Sequence, residues 1–172
     1  MRKRKKHRLL EDWSRNTLSG EAQKNALDFI AFMRANDLPP DPKDYNWFKY
    51  LGENICVLMH DDGWSIYWAD CDIYSSDDSQ VDEGLKEFAL SHINPCARHE
   101  KAKCNPGKRK TIFGKLSSEN LCTSTLCFDN PSAEELEQIK ILALMRKQNI
   151  AQLKNADRGG NNNVQEKKAA CH

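Results

Sequence analysis

The chain has 172 residues, of which 39% are hydrophobic and 30% charged, and its 26 basic and 25 acidic side chains leave a net charge of +1. This length suits one domain of ordinary size and excludes a large multidomain assembly. Near-neutrality also excludes a global electrostatic attraction to nucleic acid or membrane, so any electrostatic binding must come from a local patch.

The two ends of the chain are far more polar than its middle. Residues 1–8 hold six lysines and arginines and predict a disordered basic arm. Residues 154–172 predict a disordered polar tail, with Gly159 and Gly160 ending any helix. Residues 9–153 hold 61 hydrophobic side chains among 145 and predict the single folded domain. Because no segment is apolar enough for a signal peptide or a membrane span, we expect a cytoplasmic protein without a membrane partner.

The first predicted elements are a helix and a group of strands. Ser19 is a suitable N-cap for a helix at Gly20–Ala35, whose apolar residues recur with helical spacing. Aromatic and β-forming residues predict strands at 46–51, 54–60 and 64–69, and the turn at 61–63 contains the Asp-Gly pair typical of a hairpin. Trp64 and Trp68 share one face of the third strand, where they pack against a helix or, alternatively, form a stacking platform for a ligand.

The second half of the chain predicts two further helices and two strands. Residues 70–87 carry seven acids and one lysine and predict a solvated loop that runs into a helix at 80–93, opened by a capping box of Ser79 and Asp82. Strands are predicted at 110–115 and 121–128, and a Ser132–Glu135 capping box opens a helix that ends near Gln148 or a few residues later. The order of elements predicts an α+β domain with a small, mainly antiparallel sheet and about three helices.

The chain that follows the second predicted helix contains four residues with the spacing of a metal site. Cys96, His99, Cys104 and Cys122 form the pattern Cys-x2-His-x4-Cys-x17-Cys, with His92 as an alternative nitrogen ligand. Three thiolates and one imidazole suit a structural zinc ion, which would order a segment too polar to fold by burial. Since seven cysteines without a secretion signal should be reduced, separate packing roles for these cysteines remain open. Cys56, Cys71 and Cys127 lie among hydrophobic residues and are predicted to be small core side chains.

Basic residues surround this cysteine pattern. Lys108, Arg109 and Lys110 predict an anion-contacting surface whose partner would be nucleic acid or an acidic protein. Residues 102–111 do not match a phosphate-binding loop, and no other familiar catalytic motif is present. The sequence therefore favours a non-enzymatic binding or regulatory domain with a structural zinc site. Two alternatives stay open: nucleic-acid binding through the basic arm and loop, and a thiol-dependent enzyme with Cys96 or Cys104 as nucleophile and His92 or His99 as base.

Several short stretches resemble a group of small uncharacterised bacterial proteins that have a cysteine-rich loop, a Pro-Gly step and an Ile-Phe-Gly-Lys strand. The matching stretches include Cys104 to Lys108, Thr111 to Lys115 and Phe128 to Pro131, and the resemblance spans roughly residues 27–147. It implies a bacterial, cytoplasmic setting and supports treating Cys96, Cys104 and Cys122 as one unit. The resemblance supplies no activity, and the longer insert containing His99 leaves the ligand set open.

Overall fold

A computed structural model describes residues 10–44, 46–59, 63–69, 81–95 and 107–169 of the chain. The predicted basic arm at 1–8 and most of the acidic stretch at 70–87 therefore lie outside the described residues. Within them the helices are α1 (Leu10–Thr17), α2 (Gly20–Ala35), α3 (Glu83–Ser91) and α4 (Ala133–Ala169). The strands are β1 (Trp47–Tyr50), β2 (Glu53–Met59), β3 (Ser65–Ala69), β4 (Ile93–Pro95), β5 (Thr111–Ile112), β6 (Lys115–Leu116) and β7 (Leu121–Asp129).

Five of these strands form one antiparallel sheet in the order β1-β2-β3-β7-β4, and β5 pairs with β6 as a separate small ribbon. The predicted α+β domain with a small, mainly antiparallel sheet is confirmed. The sheet is built from two hairpins in sequence, and β7 then returns to lie beside β3. The tight β1–β2 turn uses Leu51 and Gly52, both with positive φ, as a two-residue hairpin loop of this kind requires.

One face of the sheet is covered and carries most of the core. Because cross-strand partners share a face, the register places a set of fully or nearly fully buried side chains on this covered face: Phe48, Cys56, Leu58, Ile66, Trp68, Leu126 and Phe128. A bulge in β2 adds Ile55, which has no partner in β1 and is also fully buried. Trp64 and Trp68 are 1% and 0% exposed, so packing rather than a stacking platform is their role.

The helices cover this face through aromatic and polar contacts. Phe29 of α2 meets Phe48 edge to face, with ring centroids 5.8 Å apart, and Phe88 of α3 stacks on Phe128 at 5.5 Å. Helix α4 contributes a buried stripe and is fixed to β2, since the Arg146 guanidinium donates to the Asn54 carbonyl over 3.0 Å. The covered face is thus one continuous core shared by α2, α3 and α4.

The ends of the helices agree with the sequence at some points and differ at others. The Ser132–Glu135 capping box is confirmed, because each residue's backbone N–H donates to the other's side chain, over 2.8 and 3.2 Å. Ser19 occupies the N-cap of α2, but its hydroxyl makes no capping bond. Helix α3 starts at Glu83 because the Asp82 carboxylate itself accepts the Leu85 N–H, so the predicted start at residue 80 was wrong.

Three further differences concern element length and number. Helix α1 was not predicted, so the described residues contain four helices rather than about three. The predicted strand at 110–115 is divided into β5 and β6, because Phe113 and Gly114 both adopt positive φ and turn the chain back. Helix α4 continues past Gln148 and through Gly159 and Gly160, where the sequence predicted a break. Each glycine disfavours a helix by only about 1 kcal/mol, which does not force one to end.

Candidate functional site

The cysteine-containing segment leaves and rejoins the domain beside a single residue of β7. On one flank Pro95 of β4 pairs with Leu121, and on the other flank Lys108 forms an isolated bridge to the same Leu121. That bridge has two backbone hydrogen bonds, with Leu121 donating to Lys108 over 2.9 Å and Lys108 donating to Leu121 over 3.3 Å. The described flanks of the segment therefore converge on the start of β7, next to Cys122.

Of the four predicted zinc ligands, the structure describes one. Cys122 is half-buried and its thiol is free of any disulfide. Side chains alternate along a strand, so Cys122 lies on the same face of β7 as Ser124, which faces away from the covered core. Cys96, His99 and Cys104 lie outside the described residues. In the part of the chain that the structure describes, no group of three or more His, Cys, Asp or Glu side chains is arranged to hold a metal ion.

His92, the alternative nitrogen ligand, lies on the other side of the sheet from Cys122. Its ring packs on Phe88 and Phe128, with centroids 4.6 and 4.9 Å away, and so belongs to the covered face. Its Nδ1 is 2.8 Å from the Phe88 carbonyl, and its Nε2 is 3.6 Å from a carboxylate oxygen of Glu135. The structure therefore does not bring His92 to Cys122, and it ties the imidazole to the end of α3 and the start of α4.

The three residues of the predicted anion-contacting surface are not equivalent. Lys110 is only 3% exposed, and its ammonium donates to the Thr125 hydroxyl over 2.9 Å. Lys108 and Arg109 are exposed, and the Arg109 Nε donates to the Ser117 carbonyl over 2.8 Å. The structure thus leaves Lys108 and Arg109 on the surface and places Lys110 inside the domain.

The described cysteines away from the segment differ in their surroundings. Cys56 is fully buried in the core as predicted, and burial raises the pKa of its thiol. Cys127 does not pack in the core, because it lies half-buried on the uncovered face and its thiol donates to the Asp129 carboxylate over 3.3 Å. Partial burial, together with Asp129, raises the pKa of Cys127 to about 11, so the thiol is protonated at neutral pH. Cys71 lies outside the described residues.

A groove of about 480 Å³ lies on the uncovered face of the sheet. Its centre is a row across three strands, since Trp47 of β1 pairs with Val57 of β2, and Val57 pairs with Tyr67 of β3. The rings of Trp47 and Tyr67 are partly exposed, and Val57 between them is 6% exposed. The remaining described residues that line the groove are Asp44, Asn46, Met59 and Ser124.

The sequence contains one signal for this groove, which lies in the alternation of side chains along β3. Alternation along β3 places Tyr67 opposite Trp68, so a strand that buries its tryptophans must present the tyrosine on the other side. Which residues of β1 join Tyr67 depends on register, and the register is set by the bulge at Ile55. That bulge has no clear pattern in the sequence.

No family model, no curated protein and no solved structure matches this chain. Among the residues that the structure describes, none of the helices has the length and apolar character needed to cross a bilayer.

Proposed function

We propose that this protein is a non-enzymatic binding domain in which one zinc ion closes the cysteine-containing segment onto the start of β7. Cys96, His99, Cys104 and Cys122 are the proposed ligands, and reduced cysteines in a cytoplasmic setting are part of the proposal. The observation that carries it is the convergence of both described flanks, Pro95 and Lys108, on Leu121. This convergence supports a shared site because three of the ligands belong to the segment between the flanks, and the fourth follows Leu121 directly.

The chemistry of the ligand set supports zinc. Three thiolates and one imidazole complete a tetrahedral structural site and leave no open position for substrate. The segment between Cys96 and Cys104 is otherwise composed mainly of charged and small residues, which cannot supply a core of their own. Metal binding would contribute the missing free energy of ordering, as it does in small zinc modules.

The position of His92 favours His99 as the nitrogen ligand. The imidazole of His92 is packed between α3, β7 and α4 on the covered face, whereas Cys122 lies on the opposite face. Because His92 and Cys122 lie on opposite faces, His92 is also poorly placed to act as the base of a thiol-dependent enzyme near Cys122. The nucleic-acid alternative loses Lys110 from its contact surface, because that side chain is buried against Thr125.

The test is zinc content of the full chain purified without a histidine tag. We expect about one equivalent of zinc per chain in the parent protein and loss of most of it in Cys122→Ser. Cys127→Ser is the matched control, because it removes another half-buried thiol from the same strand, and it should keep the metal. Less than about 0.2 equivalents in the parent protein, or equal loss in both variants, would contradict the proposal.

A further inference from the structure

The groove on the uncovered face carries an inference that goes beyond the zinc proposal and does not depend on it. Its two aromatic residues, Trp47 and Tyr67, are separated by Val57 in the cross-strand row. Neighbouring strands lie about 4.8 Å apart, so the backbones that carry the two rings are about 9.5 Å apart. Because strand side chains stand roughly perpendicular to the sheet, the two aromatic side chains line the groove on either side of Val57.

The aromatic lining of the groove favours a cation. The faces of Trp and Tyr rings are negative and attract a cation that lies within roughly 6 Å of the ring centroid. Trp47 and Tyr67 both line the groove and are partly exposed, so a ligand in the groove can reach them. This chemistry favours an alkylated ammonium group over an uncharged planar ring.

The charge of the groove agrees with a cationic ligand. Asp44 is the charged side chain among the described residues that line it, and its carboxylate accepts only a long 3.4 Å hydrogen bond from the Asn46 N–H. No lysine, arginine or histidine of the described residues pairs with Asp44, in contrast to Asp41, which is paired with Lys49 nearby. Met59 adds a polarizable thioether to the lining. Among the described residues, Asp44 thus adds a negative charge without an ion-pair partner beside the two aromatic side chains.

We propose that this groove binds a small soluble quaternary ammonium compound, with Trp47 and Tyr67 as the aromatic lining and Asp44 as the counter-charge. The trimethylammonium group would lie above Val57, in contact with both rings. Trp and Tyr are suited to this because the negative faces of their rings attract a cation that is poorly hydrated. The volume of about 480 Å³ leaves room for the polar remainder of such a compound near Asn46 and Ser124.

The experiment is an NMR titration of the full chain with choline as the probe, in which the indole N–H signal of each tryptophan is followed. Choline should shift the signal of Trp47 saturably and leave those of Trp64 and Trp68 unchanged, because the latter two are buried on the other face. The neutral carbon isostere 3,3-dimethylbutanol should bind roughly 10-fold more weakly, since it retains the shape and loses the charge. A Trp47→Phe variant assigns the signal.

Variants separate the groove from general charge effects. Asp44→Asn should weaken choline binding about 3- to 5-fold, whereas Asp37→Asn, which removes an exposed acid that contacts Lys147, should not change it. Tyr67→Phe should retain binding and Tyr67→Leu should weaken it about 5-fold. Equal affinity for the isostere, equal effects of the two aspartate variants, or no saturable shift up to about 50 mM choline would overturn the proposal. A flat probe such as adenosine binding more tightly than choline would also overturn it.

Discussion

The buried contact between Lys110 and Thr125 leads to a prediction whose sign depends on where Lys110 lies. Both residues are nearly inaccessible, at 3% and 0% exposure, and the ammonium donates to the threonine hydroxyl over 2.9 Å. Thr125→Val removes that acceptor and keeps the volume of the side chain. A hydrogen bond from a charged group is worth about 1.5–3 kcal/mol, so the free energy of unfolding should fall by about that amount.

The alternative position of Lys110 predicts a different result. If Lys110 were a surface residue poised to contact anions, Thr125→Val would bury an additional methyl group and leave stability unchanged or slightly higher. The assay is urea unfolding of the parent protein, Thr125→Val, Lys110→Met and the double variant. A coupling energy of about 1–3 kcal/mol is expected, because the double variant removes the ammonium together with its acceptor.

The control for this cycle is the neighbouring exposed cation. Lys108→Met should change the free energy of unfolding by less than about 0.5 kcal/mol, since its side chain lies on the surface. A stability of Thr125→Val equal to that of the parent protein, with no coupling to Lys110→Met, would refute the buried contact. It would also return Lys110 to the anion-contacting surface.

Four other predictions follow from contacts in the described residues. Ser132→Ala should lower the free energy of unfolding by about 1 kcal/mol, measured by urea unfolding, because it removes one half of the α4 capping box. Donation from the Ser132 N–H holds the pKa of Glu135 below its ordinary value despite partial burial. The ionised Glu135 carboxylate therefore stabilises the folded state at pH values above the pKa that Glu135 has in the unfolded chain. That contribution should be lost as pH falls through the folded pKa, and Glu135→Gln should flatten this part of the pH dependence in thermal melts. Mass spectrometry after brief alkylation at pH 7 should find Cys127 and Cys56 unmodified in folded protein, because raised pKa values keep both thiols protonated; rapid labelling of either would contradict this. Trp68→Phe should cost less than about 3 kcal/mol in urea unfolding, below the usual range for deleting a large aromatic side chain, since its buried indole N–H has no partner among the described residues.

The sequence predicted the elements well where periodicity and turn chemistry agree. The alternation of Trp64, Ile66 and Trp68 indicated a strand with one buried face, and the Asp-Gly pair before it indicated a hairpin. The strong pattern of Ser132 and Glu135 likewise fixed the start of α4. These signals are local, so they do not depend on how the elements assemble.

Features that depend on assembly were not predictable in the same way. Lys110 follows two other basic residues, so its sequence context predicts an exposed side chain. Its ammonium is instead buried and donates to the hydroxyl of Thr125 in β7, which comes later in the chain. The predicted strand at 110–115 is divided because Phe113 has a positive φ, which aromatic residues rarely adopt. In this conformation the Phe113 side chain is buried, at 2% exposure. Pro95 and Lys108 both pair with Leu121, and this depends on the register of β7 against β4 and against the chain at Lys108. Local sequence patterns do not predict that register.

The most direct measurement of the central claim is the X-ray absorption spectrum of zinc in the purified protein. We predict a four-coordinate site with three sulfur ligands at about 2.3 Å and one nitrogen ligand at about 2.0–2.1 Å, which is reduced to two sulfur ligands or emptied in Cys122→Ser. A spectrum dominated by oxygen ligands, or one that Cys122→Ser leaves unchanged, would contradict a zinc ion that closes the cysteine-containing segment onto β7.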